Sequence, residues 1–250
     1  MATHQRRIVV LSDLQIPYQD DKSVNAVMKF IRWYKPHELW CVGDELDAPE
    51  PSRWNKGMAG EYAPTLQDSI DLTYNIMADF RAALGRNKPF VIQRSNHTDR
   101  IQTYIRKYAP AFGSLDTLKI EELLGYHSLN IQYLHKFKEL LPGWVMAHGD
   151  EGRSIQTPGS TAMSLAKKLG KSVVCGHTHK LGLQHETTGL YGKNKTIYGM
   201  EVGHLMDMKQ ASYLTSGVAN WQQGIGILVE KNRKVIPYTV PIIDGDIKLP

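Results

Sequence analysis

The sequence predicts an α/β fold in which short strands alternate with amphipathic helices, and three observations support this class. In the first half, apolar runs of strand length are separated by longer segments whose apolar residues have helical spacing. In the second half, short runs bounded by Gly and Asn predict antiparallel strands and hairpins. Five of the apolar runs end directly on polar clusters, which is typical of a sheet with a binding edge.

The first half follows a β-α-β-α-β order. Gly85 stands where the second helix should stop, and Pro110 limits the third. Strands followed by helices in this order predict a right-handed parallel arrangement. The predicted strands are 7–12, 38–43 and 89–94, and the predicted helices are 21–34, 65–85 and 99–110.

The second half is richer in β-structure. Strands 143–148 and 171–176 are predicted on either side of a helix near 159–169. No repeat, low-complexity segment or linker divides the sequence, so we expect one domain over residues 1–250. The remaining predicted strands are 181–188, 195–202, 211–218, 224–230 and 233–238.

The composition is that of an ordinary globular protein, with 42% hydrophobic and 22% charged residues. The net charge of +5 is compatible with phosphate-rich partners, but the cations are spread along the chain and form no basic arm. The two cysteines, Cys41 and Cys175, lie in apolar runs and favour a reducing compartment. The sequence near Met1 lacks a signal-peptide core, and no apolar stretch could cross a bilayer. We therefore expect a cytoplasmic protein without a membrane partner.

The polar clusters at the strand ends carry the residue types that bind metals. Parallel strands bring their carboxyl ends to one edge, so these side chains should lie close together. Asp oxygen, His nitrogen and Asn oxygen suit a borderline ion such as Mn²⁺, Zn²⁺ or Fe²⁺, and the number of ligands favours two ions. The clusters are Asp13 and Gln15; Asp44 and Asp47; Asn96, His97 and Asp99; His148 and Asp150; and His177 and His179.

Taken in order, the segments DLQ, GDELD, SNH, HGD and GHTH resemble the signature of the calcineurin-like metallophosphoesterases. The resemblance runs from residue 8 to about residue 180. It implies a sandwich of two mixed β-sheets flanked by helices, with two metals at the carboxyl edge of the strands. Carried over by position, it assigns one metal to Asp13, Gln15 and His179, the second to Asn96, His148 and His177, and both to Asp44.

The resemblance also implies a mechanism of phosphoester hydrolysis. A metal-bridging hydroxide would attack phosphorus, while His97 would face the substrate and stabilise the transition state or protonate the leaving group. Asp47 is too close to Asp44 for both to be assumed ligands. We therefore expect Asp47 to orient His97 or a metal-bound water.

The sequence departs from the family pattern at three positions. Gln15 stands where most members have His, and an amide oxygen is a harder ligand than imidazole. This change favours Mn²⁺, with Zn²⁺, Fe²⁺ and Ni²⁺ as alternatives. Ser95 replaces a Gly, and Thr98 stands where the family has an acid. Asp99 is therefore a second candidate for orienting His97.

The segments around the clusters favour a phosphodiesterase acting on nucleotides, cyclic nucleotides or nucleic acid. GDELD is not followed by the Arg-Gly of the protein phosphatases, and no capping insertion is evident. Arg153 follows His148 and is a candidate phosphate contact, with a solvated side chain as the alternative. The loop 49–64 offers either a substrate contact or a surface loop whose Trp packs on a helix. Its candidate residues are Arg53, Trp54, Lys56 and Tyr62.

Two alternatives to a phosphodiesterase stay open at this stage. A phosphomonoesterase would use the same metals and the same ligands. A catalytically weakened binding scaffold of the same fold is favoured only by Gln15, since the other expected ligand types are present.

Overall fold

Two mixed β-sheets form the centre of the computed structural model, which describes residues 5–51, 65–210 and 219–249. The first sheet has seven strands in the order β12-β11-β10-β1-β2-β3-β4. Strands β1 to β4 run parallel, and β10 pairs antiparallel with β1. Its strands are β1 (Gln5–Leu11), β2 (Glu38–Cys41), β3 (Phe90–Gln93), β4 (Gln132–Leu134), β10 (Gly224–Lys231), β11 (Lys234–Ile243) and β12 (Asp246–Ile247).

The second sheet has five strands in the order β5-β6-β7-β9-β8. Strands β6, β7 and β9 are parallel, whereas β5 and β8 pair antiparallel at the two edges. This sheet therefore also presents a shared carboxyl edge, after β6 and β7. Its strands are β5 (Lys138–Leu141), β6 (Trp144–Met146), β7 (Ser172–Cys175), β8 (Leu181–Leu190) and β9 (Lys193–Val202).

Helices cover the outer faces of both sheets. The second helix begins with a capping box, in which Thr65 and Asp68 each accept a hydrogen bond from the other's backbone N–H. The first helix starts at its cap residue Asp20, whose side chain accepts from the Lys22 N–H. The helices are α1 (Asp21–Tyr34), α2 (Leu66–Leu84), α3 (Arg100–Tyr108), α4 (Ile120–Leu123) and α5 (Ser160–Leu169).

Alternation along the strands divides the core into three clusters of buried residues. In β1, Ile8 and Val10 point between the sheets and join Met200 of β9, whereas Val9 and Leu11 point towards α1 and α2. Similarly, β6 and β7 turn alternate residues towards α5. Successive residues of one strand thus pack into different layers, which gives an α-β-β-α order of layers.

The predicted fold class, two mixed sheets packed as a sandwich and flanked by helices, is confirmed. The predicted helices 21–34, 65–85 and 99–110 correspond to α1, α2 and α3 to within two residues at each end. Strands β4 and β5 were not predicted, because each is short and only partly buried. The predicted strand 211–218 lies outside the described residues. No described helix is long and apolar enough to cross a membrane.

Candidate metal centre

The polar residues that follow β1, β2, β3, β6 and β7 meet at one rim of the sandwich. Backbone hydrogen bonds fix the loops after β1 and β2 to each other: the Asp13 N–H donates to the Gly43 carbonyl at 3.1 Å, and the Gln15 N–H donates to the Asp44 carbonyl at 2.9 Å. The second sheet is attached at the same point, because the His177 N–H donates to Asp13 Oδ2 at 2.9 Å. The two sheets therefore share one polar site.

Asp44, His148 and His177 form a group whose potential ligand atoms all lie within 4.8 Å of one another. His148 Nε2 lies 3.3 Å from Asp44 Oδ2 and 2.9 Å from Asn96 Oδ1. The other ring nitrogen, Nδ1, donates to the Val42 carbonyl at 2.8 Å, which fixes the ring and directs Nε2 into the site. An imidazole nitrogen, a carboxylate and an amide oxygen thus converge on one point.

The electrostatics of this group suit a cation. Burial alone would lower the pKa of His148, but the Asp44 carboxylate raises it to about 10. Burial alone would raise the pKa of Asp44, but His148 and His97 hold it well below its ordinary value. A positive charge at Nε2 of His148 is therefore strongly favoured, and a divalent ion supplies such a charge when it replaces the proton.

Asp13, Gln15 and His179 form a second group beside the first. Asp13 Oδ1 lies 3.2 Å from His179 Nε2, and Gln15 Nε2 donates to Asp44 Oδ2 at 3.1 Å. Among the described residues, the buried oxygens Asp13 Oδ1 and Gln15 Oε1 have no hydrogen-bond partner. Buried acceptors without donors are costly, and a bound cation would satisfy both. The residues present therefore fit a metal in each group.

Asp44 lies between the two groups. Its Oδ2 atom is close to His148 on one side and to Gln15 on the other, while Oδ1 accepts the His97 N–H at 3.1 Å. The side chain is fully buried. Asp44 therefore contacts candidate ligands of both groups through one carboxylate oxygen.

The backbone at this rim is strained. Five of the seven candidate ligands have positive φ values, a region that non-glycine residues rarely adopt and that costs about 1–3 kcal/mol each. Such strain persists where surrounding contacts over-determine the conformation, as at functional sites. The five are Asp13 (φ 51°), Gln15 (φ 54°), Asp44 (φ 53°), His177 (φ 66°) and His179 (φ 58°).

Glycines allow the loops to approach each other at two points. A Cβ on Gly176 would lie 1.8 Å from Ser12 Oγ and 2.5 Å from Asp13 Oδ2. A Cβ on Gly43, whose φ is 107°, would lie 2.7 Å from His148 Nδ1. Packing thus requires glycine before both Asp44 and His177, and at Gly43 the left-handed backbone requires it as well.

His97 lies at the edge of the centre, between two charged side chains. Its Nδ1 contacts the Asp47 carboxylate, and Arg100 Nη1 donates to the same carboxylate at 3.1 Å. Arg100 Nη2 lies 3.2 Å from Nε2 of the imidazole. Burial alone would lower the pKa of His97, but Asp44 and Asp47 together raise it above its ordinary value. Asp47 and Arg100 therefore hold the ring while Nε2 faces Asp44 Oδ2, 3.9 Å away.

Asp99 does not take the role of orienting His97. Its carboxylate pairs with Arg94, whose Nε lies 2.6 Å from Asp99 Oδ2. Arg94 also pairs with Asp150, at 3.0 Å between Nη1 and Oδ2. The reason is geometric, because Asp99 lies at the start of α3 and its side chain meets Arg94 instead of the imidazole of His97. Asp99 and Asp150 therefore link the third and fourth loops of the rim.

Of the predicted substrate contacts, only Arg153 lies within the described residues. Arg153 is exposed in the loop between β6 and α5, and its guanidinium is available to solvent. Of the loop 49–64, only residues 49–51 belong to the described part of the chain. Arg53, Trp54, Lys56 and Tyr62 lie outside the described residues.

Sequence reasoning did not identify Glu201, which is fully buried in β9. Its carboxylate accepts hydrogen bonds from the N–H groups of Gly159, Thr161 and Ala162 at the start of α5. It also accepts the Thr178 hydroxyl at 3.0 Å, between the two histidines of the GHTH segment. An acidic residue among the buried apolar residues at the end of β9 was the signal that could have indicated it.

We expect Glu201→Ala to lower the free energy of unfolding by at least about 3 kcal/mol, because several buried donors would lose their common acceptor. Urea denaturation of the wild type and of Glu201→Ala measures this change in the free energy of unfolding. Glu186→Ala, on the exposed side of the neighbouring strand β8, is the matched control and should change stability by under about 1 kcal/mol. Equal losses in the two variants would contradict the proposed anchoring by Glu201.

His204 is a second buried residue that the sequence left unassigned. Its ring packs beside His179 at 5.2 Å between centroids, and Trp221 contacts the same histidine at 4.2 Å. His204 Nδ1 accepts the Met206 N–H at 3.2 Å, so Nε2 carries the hydrogen of the neutral ring. In this tautomer Nε2 is a buried N–H without a hydrogen-bond acceptor among the described residues, and it is not a ligand.

Burial, together with the neighbouring His179, lowers the pKa of His204 to about 3. Between this value and the unfolded value near 6.5, the unfolded chain binds a proton that the folded chain does not. Stability should therefore fall as pH falls, by about 1.4 kcal/mol per pH unit from this residue. We expect His204→Asn, which keeps an acceptor for Met206, to flatten this dependence between pH 6 and 5 in urea denaturation of the chelated protein. If the free energy of unfolding changed equally with pH in His204→Asn and in the wild type, the lowered pKa of His204 would be contradicted.

Comparison with known proteins identifies close sequence relatives and distant structural ones. The chain is 39% identical over 244 residues to the Gene 54 protein of Mycobacterium phage D29, covering 96% of this chain and 95% of the relative. It is 36% identical to the Gene 54 protein of Mycobacterium phage L5 over the same coverage. No protein-family model matches the chain.

Among solved structures, Vps29 of Entamoeba histolytica complexed with Zn²⁺ is similar, with 15% identity and a TM-score of 0.47 over 97% of this chain and 96% of that chain. Vps29 of Cryptosporidium parvum has 14% identity and a TM-score of 0.48 over 98% and 95% of the chains. At this level of similarity, the functional conclusion depends on the residues of the site itself.

Proposed function

The chain belongs to the family of the mycobacteriophage gene 54 proteins, and we propose that it is a metal-dependent phosphodiesterase. One observation carries the proposal: the candidate ligands from five loops converge on the shared carboxylate of Asp44, next to the imidazole of His97. Oxygen and nitrogen donors in this combination suit Mn²⁺, Zn²⁺, Fe²⁺ or Ni²⁺, and the amide oxygen of Gln15 favours Mn²⁺.

In this proposal, two divalent ions would share the site. Asp44 would contribute to both, because its Oδ2 lies close to His148 and to Gln15. Asp13, Gln15 and His179 would hold the first ion, and Asn96, His148 and His177 would hold the second. When bound, such ions polarise the phosphoryl group and supply a nucleophile from water at neutral pH.

The chain's own contribution to the reaction is centred on His97. Asp47 contacts Nδ1 and orients the ring, so Nε2 is the atom that faces a bound phosphate. A proton on Nε2 of the substrate-bound enzyme would pass to the departing oxygen. Arg100 holds Asp47 in place through its carboxylate and its carbonyl, at 3.1 and 2.7 Å. His97 would thus act as general acid, with Asp47 and Arg100 as positioning residues.

The charge of the rim supports a diester over a monoester. A phosphomonoester carries nearly two negative charges at neutral pH, whereas a diester carries one. The two guanidinium groups beside the centre are already paired, Arg94 with Asp99 and Asp150, and Arg100 with Asp47. Their positive charge is largely neutralised, which favours the substrate with the smaller charge.

One contact, made by Gln15, favours the alternative function of a binding scaffold without activity. Gln15 directs its NH₂ group, and not its oxygen, towards Asp44 Oδ2. If the amide kept this orientation when metal binds, the first ion would lose one ligand. Assignment of amide oxygen and nitrogen follows the hydrogen-bond network, so metal binding itself decides between the two orientations.

Hydrolysis of bis(p-nitrophenyl) phosphate and of p-nitrophenyl phosphate tests the proposal. Both substrates are assayed with added Mn²⁺ and after chelation. We expect metal-dependent cleavage of the diester, with the monoester cleaved more slowly. Faster cleavage of the monoester would establish a phosphomonoesterase, and no cleavage of either substrate by the metal-loaded protein would favour the scaffold.

A further inference from the structure

Helix α3 begins three residues after His97 and leads away from the metal centre. Its first residue, Arg100, contacts both Asp47 and His97. Ile101 and Ile105 of the same helix pack against the core. Arg100, Tyr104 and Tyr108 follow one another at i, i+4 and i+8 along one flank of this apolar stripe, in a row that starts at the site where His97 lies.

This flank of the helix carries aromatic side chains that are largely exposed. The side chains of Tyr104 and Tyr108 are 48% and 60% exposed, and Phe112 in the following turn is 56% exposed. Tyr104 and Tyr108 lie one helical turn apart, with ring centroids separated by 4.8 Å. Large aromatic surfaces in water are unfavourable unless they serve recognition.

Cations accompany these rings on the same flank, namely Arg100 and Lys107. The acids that flank the segment in sequence, Asp99 and Asp116, are paired with Arg94 and Lys119. The ammonium of Lys107 lies 4.9 Å from the centroid of the Tyr108 ring. Arg100 and Tyr108 are separated by about 12 Å along the helix axis. Arg100, Tyr104, Lys107 and Tyr108 thus form an aromatic and basic strip along one flank of α3, and Arg100 connects it to the rim of the metal centre.

We propose that this strip binds a single strand of nucleic acid, whose phosphate backbone passes from α3 to the metal centre. The proposal rests on the proposed phosphodiesterase function and assigns its substrate class. Aromatic rings that alternate with cations are the elements that bind single strands, because bases stack on the rings and phosphates pair with the cations. Continuity with His97 distinguishes the strip from other exposed apolar residues of the described chain.

Charge favours this occupant over a protein partner or a membrane. A protein interface would pair the rings with apolar groups and gain little from Lys107. The strip is also narrow and lies along one short helix. A polyanion with flat, stackable groups matches both its charge and its shape.

Fluorescence anisotropy of a labelled single-stranded oligothymidine tests the proposal. Phosphorothioate linkages keep the charge of the strand and protect it from cleavage during titration of the full-length protein. We expect Tyr104→Ala/Tyr108→Ala to weaken binding at least about tenfold, since each stacked base contributes strongly to affinity. Lys107→Ala should reduce the salt dependence of binding.

The matched control replaces two exposed tyrosines elsewhere, Tyr191→Ala/Tyr238→Ala. We expect this control to bind the strand as the wild type does. Thermal denaturation of both double variants shows whether they are folded; because all four side chains are exposed, their melting temperatures should stay close to that of the wild type. Equal affinities of the folded α3 variant and the wild type would overturn the proposal, as would a wild type that does not bind the strand.

Cleavage of bis(p-nitrophenyl) phosphate by the wild type separates this proposal from the proposed function. If the small diester is cleaved but the α3 variant binds the strand normally, the phosphodiesterase stands and the assignment of α3 fails. If the strand is bound through α3 but no diester is cleaved, the strip is correct and the proposed activity fails.

Discussion

Replacement of Asp44 by alanine is expected to remove both metal ions and to lower phosphodiester hydrolysis by at least about a thousandfold. The reason is electrostatic: Oδ2 of this buried carboxylate lies close to ligands of both groups, and two cations a few ångströms apart repel strongly without a shared negative charge. Metal content after dialysis, measured by inductively coupled plasma mass spectrometry, gives the first result. Hydrolysis of bis(p-nitrophenyl) phosphate gives the second.

Two further variants separate the effect of the Asp44 charge from a general effect of replacing an aspartate. Asp44→Asn keeps an oxygen for the His97 N–H and removes only the charge, so it should also lose the ions while retaining the fold. Asp79→Ala, on the exposed surface of α2, should keep full metal content and activity. Full occupancy of both sites in Asp44→Ala would show that this carboxylate does not bridge the ions.

Replacement of His97 by alanine is expected to leave metal binding intact and to lower turnover by about 10²–10⁴-fold. His97 contributes no atom to the group of convergent ligands, and its ring is held by Asp47 and Arg100 at the edge of the centre. Loss of a general acid slows departure of the leaving oxygen most for a poor leaving group. The deficit should therefore be larger for an alkyl diester than for a p-nitrophenyl diester.

His127→Ala is the matched control, because this histidine is exposed and pairs only with Glu122 among the described residues. It should leave both metal content and turnover unchanged. Asp47→Asn should lower turnover less than His97→Ala, since it misorients the ring without removing it. If His97→Ala lost bound metal, the residue would be a ligand and its assignment as general acid would be wrong.

The sequence predicted the parts of the structure that depend on local patterns. Alternation in β1 and the helical spacing in α1 and α2 are short-range signals, so the fold class and those elements followed from them. The polar residues after parallel strands were predicted to meet at one rim, because topology alone brings such strand ends together. The structure places Asp13, Asp44 and His148 at that rim.

The parts that the sequence could not predict depend on contacts between distant residues. Asp99 is next to Thr98, where the family has an acid, but its pairing with Arg94 is decided by how α3 meets the rim. Glu201 is distant in sequence from the α5 amides that it binds. The strip on α3 was equally hidden, because Tyr104 and Tyr108 show their exposure only after Ile101 and Ile105 are packed inside.

Anomalous diffraction from crystals grown with Mn²⁺ tests whether the carboxylate of Asp44 joins two metal ions. We expect two anomalous peaks on either side of Asp44, one beside Asp13 and His179 and the other beside Asn96 and His148. A single peak, or peaks at other residues, would contradict the dinuclear centre and with it the proposed phosphodiesterase.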